Sequence, residues 1–211
     1  MAEIEAGRAR FLAELSVSRE TITRLDAYAA LLRKWNAAIN LVSSSSLQDI
    51  WDRHFRDSAQ IFALSRWKSG LWVDLGAGAG FPGMICAILA KERAPDLRFT
   101  LVESDLRKAT FLRAVSRETN VPVTVLSARI EDIAPLGADV ISARALAPLK
   151  TLLEYAYRHM GPDGQALFHK GSSFRREVEE ALESWTFRRD EYPSSTDGAG
   201  VVLSLGDIRR V

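Results

Sequence analysis

One cysteine in 211 residues, Cys86, excludes an internal disulfide and any cysteine-based zinc cluster. It lies in the apolar run Met84-Ile-Cys-Ala-Ile-Leu89 and reads as a small core hydrophobe. Charge of one sign is missing too: 28 Lys and Arg face 27 Asp and Glu. The balance is even along the chain, with 10 basic and 8 acidic residues in 1–68, 11 and 11 in 69–164, and 7 and 8 in 165–211. Bulk basicity does not advertise nucleic acid, so RNA binding would need a local patch. No apolar run reaches membrane-spanning length, and Met1-Ala-Glu-Ile-Glu is acidic and lacks an apolar h-region. The expectation is a cytoplasmic protein with no membrane partner and no metal. At 47% hydrophobic and 26% charged, the chain can bury one core and carry an extension.

The chain is organised around Leu71-Trp-Val-Asp-Leu-Gly-Ala-Gly-Ala-Gly-Phe-Pro-Gly83. Leu71, Val73 and Leu75 suit a short buried strand. Gly76, Gly78 and Gly80 allow a sharp turn with bare backbone for a ligand. Pro82 suits a helix start, and Ile85, Ile88 and Leu89 follow at helical spacing. A strand, a glycine turn and a helix N-terminus form a nucleotide site. The spacing Asp74-x-Gly76-x-Gly78-x-Gly80 is not the G-x-G-x-x-G of dinucleotide folds. A carboxylate at the strand end repels a pyrophosphate but suits an amino group and a sulfonium, which favours S-adenosylmethionine over NAD. The competing reading is a turn that only makes a tight connection.

Before this stretch the pattern is helical. Ile4 to Leu15 reads as a first helix with Ile4, Phe11 and Leu15 on one face. Ser18 caps a long amphipathic helix ending near Asn40, and Ser46 caps a third over Leu47 to Ser65. After Leu71, strands and helices alternate: strands at 97–104, 121–126, 139–142 and 165–169, helices at 105–120, 148–160 and 172–184, and closing strands at 185–192 and 201–205. Leu106, Ala109, Leu112 and Val115 are expected to face the sheet. This predicts an α/β fold: a mostly parallel, seven-stranded sheet with helices on both faces over 67–211, preceded by a helical extension over 1–66.

Ligands in such sheets lie beyond the carboxyl ends of the strands. Glu103 ends the second strand, where a nucleotide fold places the acid that accepts from both ribose hydroxyls; otherwise it is an exposed carboxylate beside a helix start. Ala128-Arg-Ile-Glu-Asp132 follows the third strand and suits the adenine, with Ile130 packing on its face. Arg144 stands in the apolar Ser142-Ala-Arg-Ala-Leu-Ala-Pro148 after the fourth strand. Either it pairs with Asp74, Glu103 or Glu131, or it stacks on or bonds to an acceptor base. No cysteine nucleophile for C5 methylation stands at that strand end, and no Asn/Asp-Pro-Pro-Tyr/Phe for amino methylation. A ring nitrogen such as guanine N7 has an in-plane lone pair and no proton, so its methylation needs alignment but no general base.

Trp35-Asn-Ala-Ala-Ile-Asn-Leu41, Arg53-His-Phe-Arg-Asp-Ser58, the Asp74–Gly83 stretch, Lys108-Ala-Thr-Phe-Leu112 and Ala143-Arg-Ala145 appear together and in one order. With them the chain resembles the bacterial 16S ribosomal RNA guanine-N7 methyltransferases of the RsmG (GidB) family. The resemblance implies a Rossmann-like class I S-adenosylmethionine-dependent methyltransferase, acting on guanine 527 of 16S rRNA and releasing S-adenosylhomocysteine. It implies that Gly76, Phe81, Ile130, Glu131 and Arg144 line the donor site. Ala77 stands where many members have Thr, and the segment after Lys170-Gly171 matches loosely. Arg53, His54 and Arg56 become RNA-binding candidates, although a helical His flanked by arginines is as readily a structural residue on a solvated face. The partner that the resemblance implies is 16S rRNA, in the small subunit or its assembly intermediate or as naked rRNA, and a monomer is expected. A small-molecule methyltransferase and a donor-sensing binding module are the other readings.

Overall fold

A computed structural model describes the backbone from Ala2 to Val211 and side-chain surroundings from Glu5 onward. The expected packing role of Ile4 therefore lies outside the described residues. Helix α1 spans Ala2–Glu14 and α2 spans Arg19–Asn36. Ser18 caps α2, its hydroxyl accepting from the Thr21 amide at 3.2 Å. The second helix stops four residues before Asn40 because the Asn36 side chain turns back on the chain. Its Oδ1 accepts from the amides of Leu41 and Val42 at 2.8 and 2.9 Å.

The expected single helix over 47–65 is three pieces. A short α3 (Ser44–Gln48) is capped by Ser43 rather than Ser46, because the Asn36 turn brings the helix start forward. A π-helical turn over Trp51–Arg56 follows, and then α4 (Asp57–Leu64). Such one-turn widenings shift side chains around the helix axis. Here Arg53 is exposed while Asp52 and His54 are buried.

The sheet comprises β1 (Ser69–Leu75), β2 (Asp96–Val102), β3 (Thr124–Leu126), β4 (Ala138–Arg144), β5 (Met160–Lys170), β6 (Trp185–Pro193) and β7 (Val201–Arg210). Strand order is β3-β2-β1-β4-β5-β7-β6, parallel except for β7, which runs antiparallel to both neighbours. Helices α5 (Gly83–Arg93), α6 (Leu106–Thr119), α7 (Leu149–His159) and α8 (Phe174–Leu182) complete the fold. β5 and β7 extend well beyond the short apolar runs that announce them.

Alternation along each strand builds two apolar layers. Trp72 and Leu101 join Met84, Ile85, Ile88 and Leu112 on one face; Val73, Leu75 and Ile141 join Leu149, Leu153 and Val178 on the other. α5 is buried on all sides from Gly83 to Ala90. A helix that is apolar all round needs a second cover, and Leu25, Tyr28, Leu32 and Ile61 of α2 and α4 supply it in the same layer. The N-terminal helices, from Phe11 to Phe62, thus share a core with the sheet. At the far end of α5, Glu92 accepts from the Ser18 amide and the Ser18 and Thr21 hydroxyls, tying the two helices together. Ala109, Leu112 and Val115 are buried as expected, but Leu106 is 70% exposed. It occupies the first turn of α6, which starts beyond the strand end and has no sheet beneath it. No helix among the described residues is long and apolar enough to cross a membrane.

Candidate active site

Parallel pairing sets the carboxyl ends of β1, β2 and β4 side by side, with Asp74 level with Leu101 and Ser142. A cleft of about 430 Å³ opens there. Its floor is the glycine turn, where the Ala77 amide donates to Val102 O at 2.9 Å. Glu103 forms one wall, 8% exposed, its two oxygens accepting from the amides of Gly78 and Asp105 at 2.8 Å each. The carboxylate is thereby fixed at the cleft edge. Gly78 has φ +55°, and a Cβ there would meet nothing nearer than Gly76 O at 3.7 Å. The turn therefore leaves room for a ligand at that position.

Of the residues expected at the donor site, Gly76, Gly78, Phe81, Glu103, Ile130, Glu131 and Arg144 line this cleft. Asp74 and Gly80 do not. Asp74 is fully buried, accepting from the Ser142 hydroxyl at 2.6 Å and the Gly83 amide at 3.0 Å. Burial pushes its carboxyl up to about 7, against the pull of Ser142, Gly83 and Arg144. In this structure Asp74 faces inward and joins β1, β4 and the start of α5. Gly80 has φ +96°, and a Cβ there would lie 2.5 Å from the Tyr28 hydroxyl. It serves close packing against α2, and Tyr28 donates to Ala79 O.

Sequence reasoning missed part of the lining. Leu41 and Val42, on the loop held by Asn36, form an apolar edge of the cleft. Tyr155 of α7 donates to Glu131 at 2.6 Å. That bond holds the Glu131 carboxyl below its ordinary range and pushes the Tyr155 phenol up to about 12. The only hint was that α7 follows the strand bearing Arg144.

Arg144 pairs with none of the three acids considered for it. Its Nη1 donates to Arg53 O at 3.1 Å and lies 3.9 Å from Asp57 Oδ2, while the guanidinium sits 5.1 Å from the Phe81 ring centre. Burial lowers the pKa of this guanidinium, partly offset by Asp57. Ala145 follows with φ +51°, a conformation non-glycine residues adopt rarely, especially near binding sites. These two residues also line a second, polar cavity of about 600 Å³, bounded by the π-helical turn, Asp57, His169 and the loop before β7.

The three RNA-binding candidates separate. Arg53 is exposed and borders the second cavity. His54 is 8% exposed and stacks on Phe81, ring centres 4.7 Å apart. Burial, followed by the charge of Arg144, lowers its pKa to about 3, so the ring is neutral. Arg56 faces the other way, held by Glu14 at 2.6 and 2.8 Å and by Asp52 at 2.9 Å. There it fastens α1 and does not line the second cavity.

The strand order, the glycine turn and the acid ending β2 define a class I S-adenosylmethionine-dependent methyltransferase. The same fold occurs in M. jannaschii TYW2, solved in complex with AdoMet (12% identity, TM-score 0.57, 75% of this chain and 76% of that one). It also occurs in a ribosomal protein L11 methylase from Lactobacillus delbrueckii subsp. bulgaricus (16% identity, TM-score 0.57, 78% and 79%). The family model "GidB: rRNA small subunit methyltransferase G" matches residues 21–198. Proteins called ribosomal RNA small subunit methyltransferase G are 49% identical in Ruegeria sp. (strain TM1040), over 94% of this chain and 96% of that one, and 52% identical in Rhodospirillum centenum, over 94% and 89%. The chain belongs to this family of rRNA small subunit methyltransferases.

Proposed function

We propose that this enzyme methylates N7 of a guanine in 16S rRNA, guanine 527 on the family resemblance, within the cytoplasmic small subunit or its assembly intermediate. The observation that carries the reading is the seam at Arg144 and Ala145, the two residues shared by the walls of a cleft suited to the donor and of a second polar cavity. Bound S-adenosylmethionine supplies an activated methyl group on a sulfonium, which an in-plane nitrogen lone pair can accept with no proton to remove. Glu103 accepts from the ribose hydroxyls, Ile130 packs on the adenine, and the Gly76–Ala79 backbone cradles the amino-acid end. The Leu41–Val42 edge excludes water, which strengthens the site's electrostatics. Arg144 orients the acceptor, and Arg53 meets the RNA backbone. β4 ends in Ser142-Ala-Arg144 and Ala145 follows, without the cysteine that C5 chemistry requires.

The test is transfer of labelled methyl to small subunits prepared without this enzyme, followed by nucleoside analysis. N7-methylguanosine at one 16S site is the expected product. Transfer to small molecules, with none to subunits, would refute the reading.

A further inference from the structure

Resting on the function proposed above, we infer that the second cavity is a guanine subsite in which the Asp57 carboxylate and the His54 imidazole read a base swung out of the RNA. The cavity adjoins the donor cleft at Arg144 and Ala145, so a base held in it lies next to the donor. Its volume of about 600 Å³ exceeds what one nucleobase occupies.

The chemistry of its wall selects the base. Asp57 has a nearly buried side chain, 6% exposed. Its Oδ1 accepts from the hydroxyls of Ser194, at 3.1 Å, and Thr196. Its Oδ2 faces His169 Nε2 at 3.4 Å and Arg144 Nη1 at 3.9 Å. Burial pushes this carboxyl up, but His169, Thr196 and Arg144 outweigh it and hold it ionised. An ionised carboxylate accepts from two adjacent N–H groups, one on each oxygen, and on Oδ1 the Ser194 hydroxyl at 3.1 Å turns away to admit one of them. Guanine presents such a pair at N1 and N2, whereas adenine presents a lone pair at N1 that a carboxylate repels. With N1 and N2 on Asp57, the ring order turns O6 and then N7 toward the seam. O6 there meets the Arg144 guanidinium, and N7 faces the donor cleft.

His54 provides the second, independent observation. It is nine-tenths buried against this cavity, and beyond a loose approach to the Arg53 backbone its ring nitrogens make no hydrogen bond of ordinary geometry among the described residues. Buried polar atoms are nearly always satisfied, so a buried ring without a well-formed partner beside a polar cavity marks a place where a ligand group can complete it. A neutral imidazole supplies one donor and one acceptor. Recognition of an unstacked base by its edges is the usual mode for RNA.

The test uses small subunits reconstituted with guanine or inosine at the target position; inosine lacks only the N2 amino group. The native enzyme is expected to prefer guanine by about tenfold or more in kcat/KM, the cost of one lost charge-assisted hydrogen bond. In Asp57→Asn that preference falls to within about twofold, with S-adenosylmethionine affinity within about twofold of native. His54→Phe keeps the stack on Phe81 and the donor affinity and loses about tenfold in kcat/KM for the subunit. Equal native rates on guanine and inosine would overturn the subsite while leaving guanine methylation intact, as would an undiminished preference in Asp57→Asn. Should both variants lose donor binding through misfolding, the native comparison alone decides. A native enzyme that forms no N7-methylguanosine would instead bring down the functional reading.

Discussion

His54 and Phe81 stack nearly face to face, 15° from parallel, joining the π-helical turn to the glycine turn. Phe81 also stacks on Tyr28 at 5.6 Å and lies under the Arg144 guanidinium at 5.1 Å. One ring thus sets the position of residues from α2, the π-helical turn and β4. Phe81→Ala should cost about 3–5 kcal/mol of stability, as large aromatic truncations in a core do, and weaken donor binding in the protein that remains folded. Denaturant unfolding and donor titration check the two parts separately.

The glycines of the turn should behave differently when substituted. Gly80→Ala drives a methyl group to 2.5 Å from the Tyr28 hydroxyl and 3.0 Å from Met84 Cβ, so a loss of stability above about 2 kcal/mol is expected. Gly78→Ala meets open space but keeps φ +55°. It should cost only about 1 kcal/mol in folding, while reducing donor affinity at least tenfold. Melting curves with and without donor separate the two.

Much of this was legible in the chain. The glycine turn and the strand–helix alternation depend on local pattern, so the sheet and Glu103 could be placed directly. Asp57 could not be placed in the same way. Its role depends on Ser194, which is 137 residues away in sequence and meets it only once β7 has added to the sheet. Nor does apolar spacing distinguish a π-helical turn from an α-helix, which is why Arg53, His54 and Arg56 read as one basic cluster. The position of Asp74 at a strand end was legible, its direction was not: a strand-end acid can face the cleft or the helix start, and only the fold turns it toward Ser142 and Gly83.

Asn36 should govern donor affinity without touching the donor. Its side chain holds Leu41 and Val42 against the cleft. Asn36→Ala frees that edge, and the Kd for S-adenosylmethionine should rise about fivefold to tenfold with kcat little changed. Asn36→Asp keeps the accepting oxygen and should restore most of the affinity. Calorimetric titration of the three proteins is the check.

Asp74 makes stability pH-dependent. Its carboxyl lies near 7 in the folded protein, mainly through burial, against about 3.9 in an unfolded chain. The folded state binds the extra proton between these values. The stabilisation is therefore full below about pH 4 and is lost as pH rises to about 7 and beyond. Asp74→Asn removes this dependence, so its melting temperature relative to native should improve from pH 5 to pH 8. An unchanged difference would show that Asp74 is ionised throughout.

Glu103 is the most exacting test of the donor site. Its two carboxylate oxygens accept from the Gly78 and Asp105 amides, one each; in glutamine one of these positions is an NH2 donor, so one of the two amides loses its acceptor together with the charge. Glu103→Gln should keep the fold and weaken S-adenosylmethionine binding at least tenfold.

The central claim is guanine N7 methylation at one 16S position. N7-methylguanosine renders the RNA chain cleavable by aniline after borohydride reduction, so the claim can be read directly on 16S rRNA from cells with and without this enzyme. The account predicts one cleavage, at guanine 527, present with the native enzyme and absent when it is deleted. An identical cleavage pattern in both would contradict it.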